Sequence, residues 1–196
     1  MNRFNSGLAD DLEKPIKKGT ICAARFKLDD NWYRARVLQS VSKGDYEVQF
    51  IDFGNTDTVN GNTGDLKRLP ESLLQYEPQA KEASLAYIRV PKIGNTCGKE
   101  AAKLVQSMAL DTVTEALVVS QSGNHLQVVL FPTKGEKDWN KSANFKLIEK
   151  GYAAMQNDDE VPDEVSKWFD FEEEQRDQQT GIWQDGGADA LDEEAE

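Results

Sequence analysis

Val48-Gln49-Phe50-Ile51-Asp52-Phe53-Gly54-Asn55 is the stretch that decides how this chain folds, and it closes a longer segment that begins at Phe26. One β-rich segment upstream ends in Ala24-Arg25-Phe26 and turns through Leu28-Asp29-Asp30-Asn31. A second begins Trp32-Tyr33-Arg34-Ala35-Arg36-Val37, with Tyr33, Ala35 and Val37 on one face and Trp32, Arg34 and Arg36 on the other. Paired in one antiparallel sheet, these segments bring Phe26, Tyr33, Phe50 and Phe53 together at one end. Four rings around a hollow attract a cation without any negative charge, by up to roughly 2 kcal/mol once it is desolvated. Asn55 stands at the rim with an amide able to hydrogen-bond. On residue type alone, strand aromatics are more ordinarily the core of a small β-barrel.

Outward from that stretch, Ser42-Lys43-Gly44-Asp45 signals a hairpin, and Tyr46, Val48 and Phe50 alternate with polar partners. Thr56 to Val59 adds a further strand, so residues 20–60 read as four or five short strands of a small bent barrel. Asp52 is expected to be structural, pairing with an arginine or accepting turn N–H bonds. Gly54 is expected at positive φ. Residues 61–80 read as a linking segment, with a helical turn at Leu66-Lys67-Arg68-Leu69-Pro70. Residues 1–19 read as the end of a helix and a linker. There Leu8, Leu12 and Ile16 recur at four-residue steps and Pro15 interrupts them.

Residues 81–184 read as a second half. Ala83 to Val90 is a strand, and Gly98 to Leu110 a helix with Ala101, Leu104, Val105 and Met108 on one stripe. Thr112 to Val119 and Leu126 to Phe131 are strands. Ser142 is placed to cap a helix ending at Lys150-Gly151, and Pro162 to open a last helix that stops at Gly181. Ile182-Trp183 is expected to pack back on the body. Residues 185–196 read as an acidic disordered tail.

Composition narrows the function. Hydrophobic residues are 38% and charged residues 30% of 196, as in ordinary globular proteins. Without an apolar run of about 18 residues, no membrane helix is expected. Cys22 and Cys97 form no CxxC pair, which fits a reduced, intracellular protein. His125, the only histidine, reads as a strand residue rather than a ligand or base. From Asp158 onward there are 16 acidic residues against Lys167 and Arg176, so this end should repel nucleic acid and welcome basic partners. No catalytic triad, zinc site or phosphate loop is legible, so no catalytic residue, metal or cofactor is expected.

"NWYRARV" followed by "VQFIDFGN" resembles the Tudor domain, and the order of motifs around it resembles an extended Tudor domain. The likeness is closest to the C-terminal part of the Tudor staphylococcal-nuclease (Tudor-SN) family. It implies a five-stranded, SH3-like Tudor barrel joined to a staphylococcal-nuclease-like OB-fold half with helices: mainly β, with α. It further implies an aromatic cage for methylarginine, with a preference for the symmetric dimethyl form, made here by Phe26, Tyr33, Phe50 and Phe53 with Asn55 as the polar member. The family usually carries tyrosine where this chain has Phe50 and Phe53, so two hydroxyls are lost. The implied partners are arginine-methylated, Arg/Gly-rich proteins of the Sm or Argonaute/Piwi type. RNA would be reached through the full-length protein. The implied setting is RNA silencing and processing in the cytoplasm, with the nucleus as a second compartment, as a monomer and without a membrane. Tyr33→Ala and Phe50→Ala are both expected to abolish binding while the fold survives. The planar guanidinium is expected between two roughly parallel rings, either Phe26 and Phe53 or Tyr33 and Phe50.

"NFKLIEKGYAAM" followed by "FEEEQRDQQTGIW" resembles the staphylococcal-nuclease-like OB fold over about 100 residues. Nucleases of that family need paired carboxylates on Ca²⁺ and arginines that neutralise phosphate. Glu149 falls where the second family arginine is expected, and the aspartate-rich Ca²⁺ strand has no counterpart, so this half reads as scaffold. In that family, strands of the OB half precede the barrel. Here only about 19 residues do, so either the segment is excised from a longer chain or the OB half is incomplete. An RNA-binding module is the competing function, supported by the OB-like half and opposed by the missing basic stripe. A residual nuclease comes third.

Overall fold

Apolar–polar alternation builds β1 (Ile21–Arg25), β2 (Trp32–Ser42), β3 (Asp45–Phe50) and β4 (Thr56–Asn60). With β5 (Leu66–Lys67) they form one antiparallel sheet in the order β4-β3-β2-β1-β5. These are elements of a computed structural model that describes residues 10–156, 161–184 and 191. The chain divides into two compact units between Glu82 and Ala83, and this sheet lies in the first. A single buried cluster takes side chains from all five strands, among them Ala24, Val37, Val48, Val59 and Leu66, so the sheet curls around it as a barrel. Two register shifts in β2, between Val37 and Gln39 and between Ser40 and Ser42, supply local bending.

The fifth strand corrects the expectation of a helical turn at Leu66. Ala23 pairs with Lys67 and Ala24 with Leu66, because β1 otherwise presents an open edge. The helical turn falls later, at α1 (Glu71–Leu74). The other face of the sheet is covered there: Leu69 and Leu73 pack with Ala23, Ile21 and Trp32. The N-terminal segment is also corrected. Among the described residues before β1 there is no helix; Asp11 bridges to Lys67, while Leu12 and Ile16 pack on the barrel core. Pro15 removes an N–H and blocks a helical ladder there, so the four-residue spacing serves an extended segment. Leu8 lies outside the described residues.

The second unit holds a three-stranded sheet in the order β6-β9-β8, made by β6 (Glu82–Leu85), β8 (Glu115–Ser122) and β9 (His125–Phe131). The strand expected over 83–90 splits at Tyr87, whose φ is 66°, and β7 (Ile88–Arg89) pairs instead with β10 (Ala154–Met155). Helices α2 (Thr96–Ala109) and α3 (Ala143–Glu149) pack on the core with Ala101, Phe145 and Leu147. Ser142 caps α3 by accepting the Phe145 N–H at 3.1 Å. The buried Asn144 donates to the carbonyls of Ala86 (2.9 Å) and Val128 (3.0 Å) and accepts the Leu130 N–H (3.0 Å). The single helix expected after Pro162 is two, α4 (Asp163–Ser166) and α5 (Trp168–Asp177). Ile182 packs back as expected, its N–H on the Gly151 carbonyl at 2.8 Å. The acidic tail over 185–196 lies, apart from Leu191, outside the described residues.

Candidate functional site

Two turns at one end of the barrel position the aromatic residues. The first joins β1 to β2. Phe26 N–H donates to the Asn31 carbonyl and Asp30 N–H to the Phe26 carbonyl, both at 2.9 Å, which fixes Phe26 opposite Asn31 with its ring 6.4 Å from that of Tyr33. The second follows β3. Phe53 N–H (3.1 Å) and Gly54 N–H (2.7 Å) both donate to the Phe50 carbonyl, and Phe50 N–H donates to that of Asn55 (2.9 Å). Gly54 sits at φ +92°, a conformation that a side chain disfavours, so glycine lets the chain reverse there.

These turns bring all five expected residues, Phe26, Tyr33, Phe50, Phe53 and Asn55, to the wall of one pocket of about 150 Å³. Phe50 is its floor, 1% exposed, and Phe53 its lip, 65% exposed. Phe26 lies 5.2 Å from Phe50 at 76°, and Tyr33 lies 5.2 Å from Phe53 at 81°. Tyr33 and Phe50 meet at 83° and 6.0 Å, so that pair is not a parallel sandwich; edge-to-face contact is what neighbouring ring quadrupoles favour. Asn55 keeps its side-chain amide unpartnered among the described residues. The burial of Phe50 corrects the expectation that Phe50→Ala spares the fold, because this ring belongs to the barrel core as well as to the pocket.

A sixth residue lines the pocket and was not expected there: Asp29. It accepts the Tyr33 hydroxyl at 2.5 Å and both N–H groups of Asn31 at 3.0 and 3.1 Å. The Tyr33 hydroxyl first, then the Asn31 amides, hold the Asp29 carboxyl below the usual carboxylate range. In turn that carboxylate pushes the Tyr33 hydroxyl up. The signal was present in the sequence as an Asp two residues before an Asn, which read only as a turn.

Asp52 faces away from the rings and anchors the second turn. Arg34, 6% exposed, gives Nε to Asp52 Oδ2 (2.9 Å) and Nη2 to Oδ1 (2.5 Å). Its remaining N–H groups reach the carbonyls of Leu73 (3.0 Å), Tyr76 (2.6 Å) and Glu77 (3.0 Å). All five donors of the guanidinium are therefore used. The hydrogen bonds from Arg34 are the main reason the Asp52 carboxyl sits below its usual range. Gln79 and Ala80 complete the anchor through their N–H groups, on Asp52 Oδ1 (3.3 Å) and the Ile51 carbonyl (3.2 Å). The structural role expected for Asp52 is the one observed.

Elsewhere the chemistry is sparse. Burial pushes the Cys22 thiol up to about 12, which makes it unreactive. Glu149 pairs with Lys146 at 2.9 Å. His125 opens β9, with Nε2 3.0 Å from Ser84 Oγ. Among the described residues no group of His, Cys, Asp or Glu is placed to hold a metal ion, and no helix is long and apolar enough to cross a membrane.

The Tudor domain model matches residues 1–87, and the staphylococcal nuclease homologue model matches residues 82–185. Ribonuclease TUDOR 1 of Arabidopsis thaliana is 27% identical over 205 residues, 91% of this chain, which spans 20% of that relative's length. The extended Tudor domain of Drosophila melanogaster Tudor-SN (p100) superposes with a TM-score of 0.75 at 23% identity, covering 93% of this chain and 83% of its own. The human TDRD1 extended Tudor domain, solved in complex with a symmetrically dimethylated peptide, superposes at 0.66 and 27% identity, covering 79% of this chain and 73% of its own. The mainly β fold with few helices is thus an extended Tudor fold.

Proposed function

Because the chain belongs to the staphylococcal nuclease homologue family, with a Tudor domain ahead of the homologous half, we propose that it is a binding module for arginine-methylated, Arg/Gly-rich protein segments, with a preference for symmetric dimethylarginine. One observation carries this: three of the four rings, together with Asn55 and a carboxylate, surround a pocket whose floor is the fourth ring, Phe50. At about 150 Å³ it is far smaller than the roughly 300–1,000 Å³ of drug-sized ligand sites, and it suits a side-chain head group. Dimethylarginine keeps its charge, since the guanidinium pKa stays above about 12. Methylation removes N–H donors and adds apolar surface, which weakens hydration and favours ring walls over water. Asn55, its amide unpartnered among the described residues, accepts a remaining N–H. The human TDRD1 neighbour, solved with a symmetrically dimethylated peptide, supports the same ligand class. By chemistry, the partners are Arg/Gly-rich tails of the Sm or Argonaute/Piwi type.

The name of the Arabidopsis relative raises nucleic-acid cleavage as a second reading. We place it behind binding, because Glu149, paired with Lys146, puts a negative charge where a nuclease of this kind needs a positive one. The experiment is a titration of one Arg/Gly peptide in unmodified and symmetrically dimethylated forms against the protein and Phe53→Ala. Tighter binding of the methylated form, lost in the variant, is expected.

A further inference from the structure

Among the described residues, Asp29 is the one charged side chain lining the pocket. Its Oδ2 receives the Tyr33 hydroxyl and the Asn31 side-chain amide, and its Oδ1 receives the Asn31 backbone N–H. A carboxylate offers about four lone-pair sites. The carboxylate lines the pocket together with the rings and brings its charge there. The two turn contacts also fix the carboxylate in place, so an incoming group finds it already oriented.

Ring walls and a carboxylate discriminate in opposite senses. Rings gain from the methyl groups, which shed water. A carboxylate gains from N–H donors, of which unmodified arginine has about five and dimethylarginine about three. Methyl groups also hold the cation farther from the oxygen. Resting on the reading of the pocket as a guanidinium site, we propose that Asp29 is a specificity-determining residue. Its carboxylate attracts a guanidinium N–H, and it thereby narrows the gap between dimethylated and unmodified arginine. The pocket then binds arginine peptides across methylation states, and methylation grades the affinity instead of switching it.

A purely structural Asp29, needed only for the turn and the Tyr33 ring, makes a different prediction: its loss weakens all peptides alike. Asp29→Asn separates the two. The side chain keeps its shape and its amide oxygen can still accept the Tyr33 hydroxyl; the charge is removed, together with the acceptor for the Asn31 backbone N–H, and the loss of that turn contact weakens both peptides alike. The wild-type chain and Asp29→Asn are each titrated with one Arg/Gly peptide, unmodified and symmetrically dimethylated. The unmodified peptide should lose about two- to fivefold in affinity, the dimethylated one less, so the methyl preference widens. The difference between the two proteins should shrink from about 0.1 M to about 1 M salt, as the screening length falls from ~10 to ~3 Å. An unchanged preference, or an equal loss for both peptides at every salt concentration, overturns the role of Asp29 while leaving the pocket's ligand class standing. A wild-type chain that binds neither peptide overturns the ligand class, and this inference with it.

Discussion

Arg34→Met removes five N–H donors from one buried point and keeps an unbranched apolar stem of similar reach. Both oxygens of Asp52 lose a donor, and so do the carbonyls of Leu73, Tyr76 and Glu77. Removing one partner of a buried ion pair costs about 3–5 kcal/mol. The Asp52 side chain is 17% exposed against 7% for Arg34, so water reaches the abandoned carboxylate in part. Tyr76 and Glu77 are exposed and rehydrate their carbonyls. These facts place the loss at the lower end, about 3 kcal/mol, which multiplies the unfolded population of the barrel roughly a hundredfold. The pH dependence follows from the same pair. Arg34 depresses the Asp52 pKa in the folded state. The stabilisation is therefore full above the unfolded value of about 3.9 and disappears as pH falls through the lower folded value. Urea unfolding followed by NMR signals of the barrel amides, from neutral to strongly acidic pH, reads both effects. Arg34→Met should be less stable at neutral pH and show a flatter acid limb. Because Asp52 precedes Phe53, peptide affinity should fall as well. A variant within about 0.5 kcal/mol of wild type at neutral pH, the ordinary range for surface changes, would refute the anchoring role.

Three other outcomes are expected. Phe53→Ala should weaken peptide binding by about 0.5–2 kcal/mol and leave the fold intact, since the ring is 65% exposed; Phe50→Ala should cost about 3–5 kcal/mol of barrel stability, so thermal denaturation tells them apart. Asn144→Ala strips three hydrogen bonds from a fully buried position and should destabilise the second unit by about 2–4 kcal/mol, measured as a shift of its own unfolding transition. Burial raises the Glu172 pKa, so its ionisation costs stability as pH rises from the unfolded value through the folded one. Glu172→Gln, still able to accept the Met155 N–H, should melt higher at neutral pH and show no difference at strongly acidic pH.

Part of this was legible because the residue types admit few alternatives. A glycine after Ile-Asp-Phe implied the positive φ found at Gly54, and alternation in β2 placed Tyr33, Ala35 and Val37 on the core face. Antiparallel pairing placed Phe26, Tyr33, Phe50 and Phe53 at one end, but reading them with Asn55 as a cage came from a family resemblance, since strand aromatics alone more ordinarily make a barrel core, to which Phe50 also belongs. Arg34 was correctly put on the opposite face, yet its burial depends on a segment some 40 residues later, which local pattern cannot reveal. A two-residue strand such as β5 has no period to detect; the open edge of β1 makes it a strand. Asp29 satisfied a turn so well that its second position, on the pocket wall, stayed hidden.

The most direct test of the pocket's assignment is a calorimetric titration of the wild-type chain with one Arg/Gly peptide, unmodified and symmetrically dimethylated, at a single salt concentration. The aromatic pocket predicts tighter binding of the dimethylated peptide and loss of that preference in folded Phe53→Ala. Equal affinity for the two peptides, or a preference that survives in folded Phe53→Ala, would contradict it.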